Sequence, residues 1–191
     1  MYISYFKRAI DIFLSLIVIV LFGWLFLLII VLYCITFQFP LFFFQERIGK
    51  DQKPFLLIKF RSLINSDQSL QMRRFWLGDL LRFFSLDELP QIWNVLKGEM
   101  SFIGPRPLPT EYLPLMNVDQ RVRYKVLPGI TGWAQVRGRH SLSWDQKFEL
   151  DSYYVNHLSL GLDLRILFKT IVLLLSFRKD QSLLEEKFKG N

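Results

Sequence analysis

The chain has one cysteine, Cys34, and two histidines, His140 and His157, in 191 residues. A lone thiol excludes a disulfide framework and a cysteine metal site, and two histidines this far apart offer no zinc-ligand spacing. Each histidine reads as an ordinary polar residue. None of the glycines falls in a G-x-G-x-x-G pattern, so no dinucleotide fingerprint is present. There is no internal repeat, and no A-x-A cleavage site follows the N-terminal apolar stretch, which speaks against a removed signal peptide. The largest absence is of charge: residues 12–44, a run of 33 positions, contain no Asp, Glu, Lys or Arg.

As continuous helix that run would extend ~50 Å, against a hydrocarbon core of ~30 Å. It exceeds one plain span and falls short of two spans with a turn. Gly23 and Trp24 divide it into apolar arms at 12–22 and 25–35, each ~17 Å long, about half a bilayer. Lys7, Arg8 and Asp11 precede it, and 22 of the 24 Lys and Arg residues follow it. The positive-inside rule therefore favours both ends on the cytoplasmic face. The residues leave two readings, a helix that bends near Gly23 and returns, or one tilted transmembrane helix over 10–33 followed by an extended segment.

The composition is 51% hydrophobic and 16% aromatic with a formal charge of +7. Beside so apolar an N-terminus, that charge points to lipid head groups or phosphorylated small molecules. It points away from nucleic acid, for which no reading module is visible.

Downstream, residues 42–60 read as two extended segments around a turn at 49–54, with Lys59 and Arg61 close together. Leu70, Phe75, Trp76, Leu80, Leu81 and Phe84 approach helical spacing over 66–84, with Arg73, Arg74 and Arg82 beside them. This mixture suits an amphipathic helix at a membrane surface or one packed on a core. The next stretch, SLDELPQIWNVLKGEMSFIGPRP, predicts a helix over 86–97 with Ser85 as N-cap, Glu88 closing a capping box and Gly98 past the end. Asp87 and Glu88 then lie together at a helix start, where negative charge is stabilised and a phosphate-bound metal could be shared. Pro105, Pro107 and Pro109 forbid helix and hold Arg106 on a stiff backbone, an arrangement suited to bidentate phosphate recognition.

The stretch 126–139 carries turn signals at Pro128-Gly129 and further glycines at 132 and 138, and reads as a glycine-rich hairpin. Ser143 and Gln146 form a second capping-box pattern. Residues 160–177 are apolar but interrupted by Asp163, Arg165 and Lys169, so they should pack on the domain or lie along a membrane surface. From Lys179 the chain reads as a charged tail.

Several of these segments in this order resemble the monotopic bacterial phosphoglycosyl transferases, the bacterial sugar transferase family. The resemblance rests on Phe6-Lys7-Arg8 with Asp11, Lys59-Phe60-Arg61, 85–89 with Asp87-Glu88, and the segments 94–98, 100–107, 128–136 and 148–154. It implies an α/β, mostly helical fold with short strands. A re-entrant membrane helix at 1–40 and amphipathic interfacial helices would surround a small cytoplasmic catalytic domain at 41–180, followed by a tail at 181–191.

The implied activity is transfer of a phosphosugar from a UDP-sugar to polyprenyl (undecaprenyl) phosphate at the cytoplasmic face of the bacterial inner membrane, releasing UMP. By the same resemblance Asp87 is the nucleophile, Glu88 its acidic partner, and both face Mg²⁺. Arg82, Arg106 and Lys59 would bind phosphate, and Lys7, Arg8, Asp11, Gly23 and Trp24 belong to the membrane helix and its anchorage. Membrane lipids are implied partners, and a homodimer is allowed. The alternative from a different class is a membrane-surface binding or scaffold protein with this fold and no reaction. Gly23-Trp24 stands where minimal members commonly carry Ser-Pro, Glu99 where Asp is usual, Leu127 where Arg is common and Arg137 where close relatives have Asn.

Overall fold

The computed structural model describes residues 6–64, 66, 69, 71–138, 141–176 and 188–190. Leu70, His140, Lys179 and most of the 181–191 tail lie outside them. The apolar run forms one helix, α1 (Lys7–Thr36), ended by Phe37 in the left-handed region. It is followed by an antiparallel hairpin, β1 (Phe42–Ile48) and β2 (Pro54–Phe60), with Phe42 opposite Phe60 and Ile48 opposite Pro54. Then come α2 (Trp76–Phe83), a 3-10 turn at Leu86–Glu88, α3 (Gln91–Lys97) and the short strand β3 (Ser101–Ile103). Two 3-10 segments, Thr110–Leu115 and Gln120–Lys125, lead to β4 (Gly129–Thr131), α4 (Trp133–Arg137), α5 (Trp144–Asn156) and α6 (Leu160–Leu175). The fold is mostly helical with short strands, and α1 is the one described helix long and apolar enough to cross a membrane.

Gly23-Trp24 does not interrupt α1, which stays helical across both residues. A single glycine weakens a helix by only about 1 kcal/mol and lacks the ring that makes proline a breaker. Both ends of α1 are tied to the same globular body. At its start Lys7 Nζ lies 2.7 Å from Asp163 Oδ2, and Asp11 Oδ1 accepts from Ser101 Oγ at 2.9 Å and Phe102 N at 3.0 Å. Arg8 donates to the Val95 carbonyl at 2.5 Å and the Leu96 carbonyl at 2.7 Å, and so closes the C-terminal end of α3. A guanidinium there adds a donor to the Val95 carbonyl, which Gly98 N also reaches, supplies one to that of Leu96, and opposes the negative end of the helix dipole. At the other end Ile29 and Tyr33 are buried with Phe60, Leu77 and Leu81, and the Tyr33 hydroxyl donates to the Arg61 carbonyl. Between these anchors Ile12, Phe13, Leu16, Val20, Leu21, Trp24 and Leu27 are exposed. The outer faces of α2 and α6 add Trp76, Leu80, Phe168, Val172 and Leu175. That much exposed apolar surface marks a membrane-facing side.

Three local expectations are corrected. Among the described residues, the helix expected over 66–84 is confined to Trp76–Phe83. The expected helix over 86–97 divides into the 3-10 turn and α3 because Pro90 has no N–H to continue the first turn. Stretch 126–139 is not a hairpin: β4 pairs in parallel with β3, Ser101 opposite Gly129, and the chain then enters α4. The glycines serve close backbone approach here, since a Cβ on Gly129 would sit 2.1 Å from Gly104 N and one on Gly104 2.3 Å from the Leu127 carbonyl. The capping box of α5 forms as expected, Ser143 Oγ accepting from Gln146 N at 3.3 Å while Gln146 Oε1 accepts from Ser143 N at 3.0 Å. Gly98 closes α3 with φ of 86°.

Candidate active site

Ser85, between α2 and the 3-10 turn, holds φ of 56° and makes no side-chain cap. The predicted capping box is therefore absent, and Glu88 is turned elsewhere. Its Oε1 lies 2.7 Å from Lys59 Nζ and 3.1 Å from Arg106 Nη2. Three segments distant in sequence converge on this one oxygen: the end of β2, the 3-10 turn and the proline-rich strap after β3. Asn94, fully buried on α3, ties that helix, which follows the 3-10 turn, to β2. Its Nδ2 donates to the Leu56 carbonyl and to Glu99 Oε2, both at 2.7 Å, and its Oδ1 accepts from Ile58 N at 3.2 Å. The longer arm at Glu99 thus reaches the Asn94 amide and accepts its hydrogen bond.

Burial alone would raise the Glu88 carboxyl, but the Lys59 and Arg106 cations outweigh it and hold the group at about 2. Glu88 is ionised at any ordinary assay pH. Asp87, beside it, is buried and close enough to Tyr33 to interact electrostatically. Both carboxylates line a cavity of about 700 Å³ that also takes in Arg82, Arg106, Arg47, Arg123 and Lys147. Arg82 pairs with Asp79, while its Nη1 is buried with no hydrogen-bond partner among the described residues. A buried guanidinium nitrogen without a protein partner retains a donor for an anion. Of the predicted residues, then, Asp87, Glu88, Lys59, Arg82 and Arg106 are brought together. Lys7, Arg8 and Asp11 anchor α1, and Gly23 borders a second cavity.

This second space, about 420 Å³, lies under the middle of α1 and is walled by Val18, Ile19, Phe22, Phe26, Phe42, Phe44, Trp93 and Leu96. It shares Val18, Phe22, Leu89 and Ile92 with the first. A cation-lined chamber and an apolar one thus meet beside Asp87 and Glu88. Among the described residues no three His, Cys, Asp or Glu side chains converge. The site offers a divalent cation two adjacent carboxylates instead of a cage, a donor set that suits a hard ion completed by water and substrate phosphate oxygens.

Arg47, Arg123 and Asp151 escaped the sequence reading. Burial, reinforced by nearby Arg106, lowers Arg47 to about 10, still charged at neutral pH. Arg123 Nη2 lies 3.0 Å from Asp151 Oδ2, with both side chains almost fully enclosed. Burial pushes the Asp151 carboxyl up to about 6, the Arg123 and Lys147 cations offsetting only part of the effect. The fold therefore favours the protonated form relative to the unfolded chain. Its penalty is full above pH 6, shrinks as pH falls through 6, and is gone below the unfolded value near 4. Melting in detergent should show the wild type gaining stability from pH 7.5 to 5.5 relative to Asp151→Asn, by about 2–4 °C per kcal/mol. Parallel pH dependence in the two proteins would contradict the assignment.

A model of the family described as bacterial sugar transferase matches residues 2–177. An uncharacterized sugar transferase, EpsL, of Bacillus subtilis is 49% identical over 138 residues, covering 69% of this chain and 68% of its own. A UDP-N-acetylgalactosamine-undecaprenyl-phosphate N-acetylgalactosaminephosphotransferase of Aeromonas hydrophila is 40% identical over 182 residues, 88% of this chain and 43% of that protein. A UDP-glucose:undecaprenyl-phosphate glucose-1-phosphate transferase of Klebsiella pneumoniae is 38% identical over 183 residues, 87% of this chain and 39% of that protein. The chain thus spans less than half the length of the last two.

Proposed function

The chain belongs to the bacterial sugar transferase family, and from that premise we propose that it transfers a sugar phosphate from a UDP-sugar to polyprenyl phosphate, releasing UMP. The observation that carries this reading is the meeting of a cation-lined and an apolar chamber at one pair of carboxylates. A diphosphate nucleotide suits the first, and the isoprenoid tail of a lipid phosphate suits the second.

In the proposed sequence an Asp87 carboxylate oxygen attacks the sugar-bearing β-phosphorus. The bond from that phosphorus to the bridging oxygen breaks, and UMP leaves with the oxygen and its electron pair. A phosphate oxygen of the polyprenyl substrate then attacks the same phosphorus, the Asp87–phosphorus bond breaks, and the carboxylate is regenerated. Splitting the exchange in two spares the site from holding both anionic substrates at once. Arg82, Arg106 and Lys59 supply positive charge where the transferred group carries its negative charge. Glu88 keeps Lys59 and Arg106 facing the reacting phosphate. Mg²⁺, held by Asp87 and Glu88, would neutralise diphosphate charge and ease departure of UMP.

We place the enzyme at the cytoplasmic face of the bacterial inner membrane. The support is that both ends of α1 are bound to one body while its middle is apolar and exposed. A re-entrant or in-plane helix meets both demands. In a Cys34→Ser background, Ser4→Cys and Asp180→Cys should both react with an impermeant thiol reagent only from the cytoplasmic side. Labelling from opposite faces would mean a full span.

The activity is tested by UMP release from a panel of UDP-sugars with detergent-solubilised protein, Mg²⁺ and undecaprenyl phosphate. Turnover with at least one sugar, dependent on the lipid phosphate, is expected. No release with any sugar would leave the scaffold reading in its place.

A further inference from the structure

We propose that Arg123 and Asp151 form a positioning pair that holds the backbone of Arg106 and thereby aims its guanidinium at the reacting phosphate, an inference that rests on the function proposed above. Pro105 and Pro107 have no N–H, so the strap between them is held through its carbonyls instead. Four in succession accept a hydrogen bond. The Pro105 carbonyl accepts from Gly129 N at 3.0 Å and that of Arg106 from Arg123 Nη2 at 2.5 Å. The Pro107 carbonyl accepts from Arg47 Nη1 at 3.3 Å and that of Leu108 from Ile48 N at 2.9 Å. The outer two donors are backbone groups of β4 and β1, whose places the strands already fix. The inner two are arginine side chains, Arg123 buried and Arg47 half-buried.

Of those two, Arg123 grips the residue whose side chain reaches Glu88. Its guanidinium lies between the ring of Phe148, 5.5 Å from the centroid, and that of Tyr124, at 5.6 Å. Asp151 on α5 supplies the counter-charge at 3.0 Å. A buried ion pair is a weak device for stability, because desolvating both charges offsets most of their attraction. This pair instead links α5 rigidly to the strap. Arg106 itself is held at its carbonyl end by Arg123 and at its guanidinium end by Glu88, at 3.1 Å. Releasing the first end lets the strap shift relative to Asp87, and a displacement of about 1 Å in a positioning group costs about 100-fold in rate.

The competing role is direct contact, since Arg123 and Asp151 also border the cavity. A double-mutant cycle with Arg106→Ala separates the two, using the UDP-sugar that the wild type turns over in the panel. Replacing both charges together, Arg123→Met with Asp151→Leu, leaves no unpaired buried charge, so the protein should melt close to wild type. Its kcat for UMP release should fall about 10- to 100-fold, with little change in the UDP-sugar KM. In the Arg106→Ala background the same double substitution should cost no more than about twofold. Arg123→Lys, which retains the charge but loses the planar guanidinium held against Phe148 and Tyr124, should show the same dependence on Arg106 and serves if the apolar pair fails to fold. Wild-type kcat in either folded variant, or losses that multiply with Arg106→Ala, would overturn the proposal. Absence of UMP release from the wild type would overturn the functional reading instead, a separate result.

Discussion

Asp87→Asn should lower UMP release by about 10³-fold or more, the scale expected when a covalent nucleophile is removed. The substitution keeps size and removes only the charge and the nucleophilic oxygen. Asp87 sits in a short 3-10 turn fixed from both sides, by Glu88 on its cations and by Leu86 and Leu89 packed against the Phe60 and Leu77 cluster. The turn should survive the change, and the melting temperature should stay within about 2 °C of wild type, as for a loss below 1 kcal/mol. A stable protein without activity is the informative combination. Substantial activity in a folded Asp87→Asn protein would remove Asp87 from the reaction.

Glu88→Ala should lose both activity and stability. With the carboxylate gone, Lys59 and Arg106 face each other without the charge that holds them together, and Lys59 is only 17% exposed. Stranding a charge-assisted, largely buried partner costs about 2 kcal/mol, or about 4–8 °C of melting temperature at this chain length. Activity should drop about 10²- to 10³-fold as the phosphate ligands lose their orientation. Glu88→Gln should be milder in melting, because its amide oxygen can still accept from one cation. The pH dependence follows from the Glu88 value of about 2. The folded-state group is depressed below its unfolded value, so its contribution is complete above about pH 4.5 and is lost only as pH falls toward 2. Melting of the wild type relative to Glu88→Ala should therefore not vary between pH 5 and 8. A difference that varies strongly across that window would place the carboxyl in another environment.

What the sequence disclosed was local or strongly periodic. The uncharged run at 12–44 announced a long apolar helix, seen as α1, although its last residues enter β1; the hairpin around 49–54 followed from its turn residues, and Ser143 with Gln146 announced the start of α5. Gly98 ended α3 as its left-handed preference requires. The pairing of Asp87 with Glu88 was visible because the two are adjacent, and Arg106 because prolines frame it. What was hidden depended on contacts between distant segments. Arg47 and Arg123 are single cations in unremarkable surroundings, and nothing nearby marks them as strap holders. Asp151 lies in a family-like segment, yet its partner is on a 3-10 segment 28 positions earlier. The capping box at Ser85 failed because Glu88 has two stronger donors from β2 and the strap than the backbone N–H that a box would offer. Likewise Lys7 and Arg8 satisfy a topology rule in sequence, but in the fold they and Asp11 are bonds to α6, α3 and β3. Charge near a membrane helix informs about sidedness; which surface it grips depends on the tertiary structure.

The most direct test of the central claim is the intact mass of the detergent-solubilised protein after incubation with Mg²⁺ and its UDP-sugar in the absence of polyprenyl phosphate. The account predicts a burst of UMP equal to the enzyme present, a mass increment of one sugar phosphate mapped to the peptide containing Asp87, and its discharge on adding undecaprenyl phosphate. UMP release only when both substrates are present, with no mass increment at any time, would contradict it.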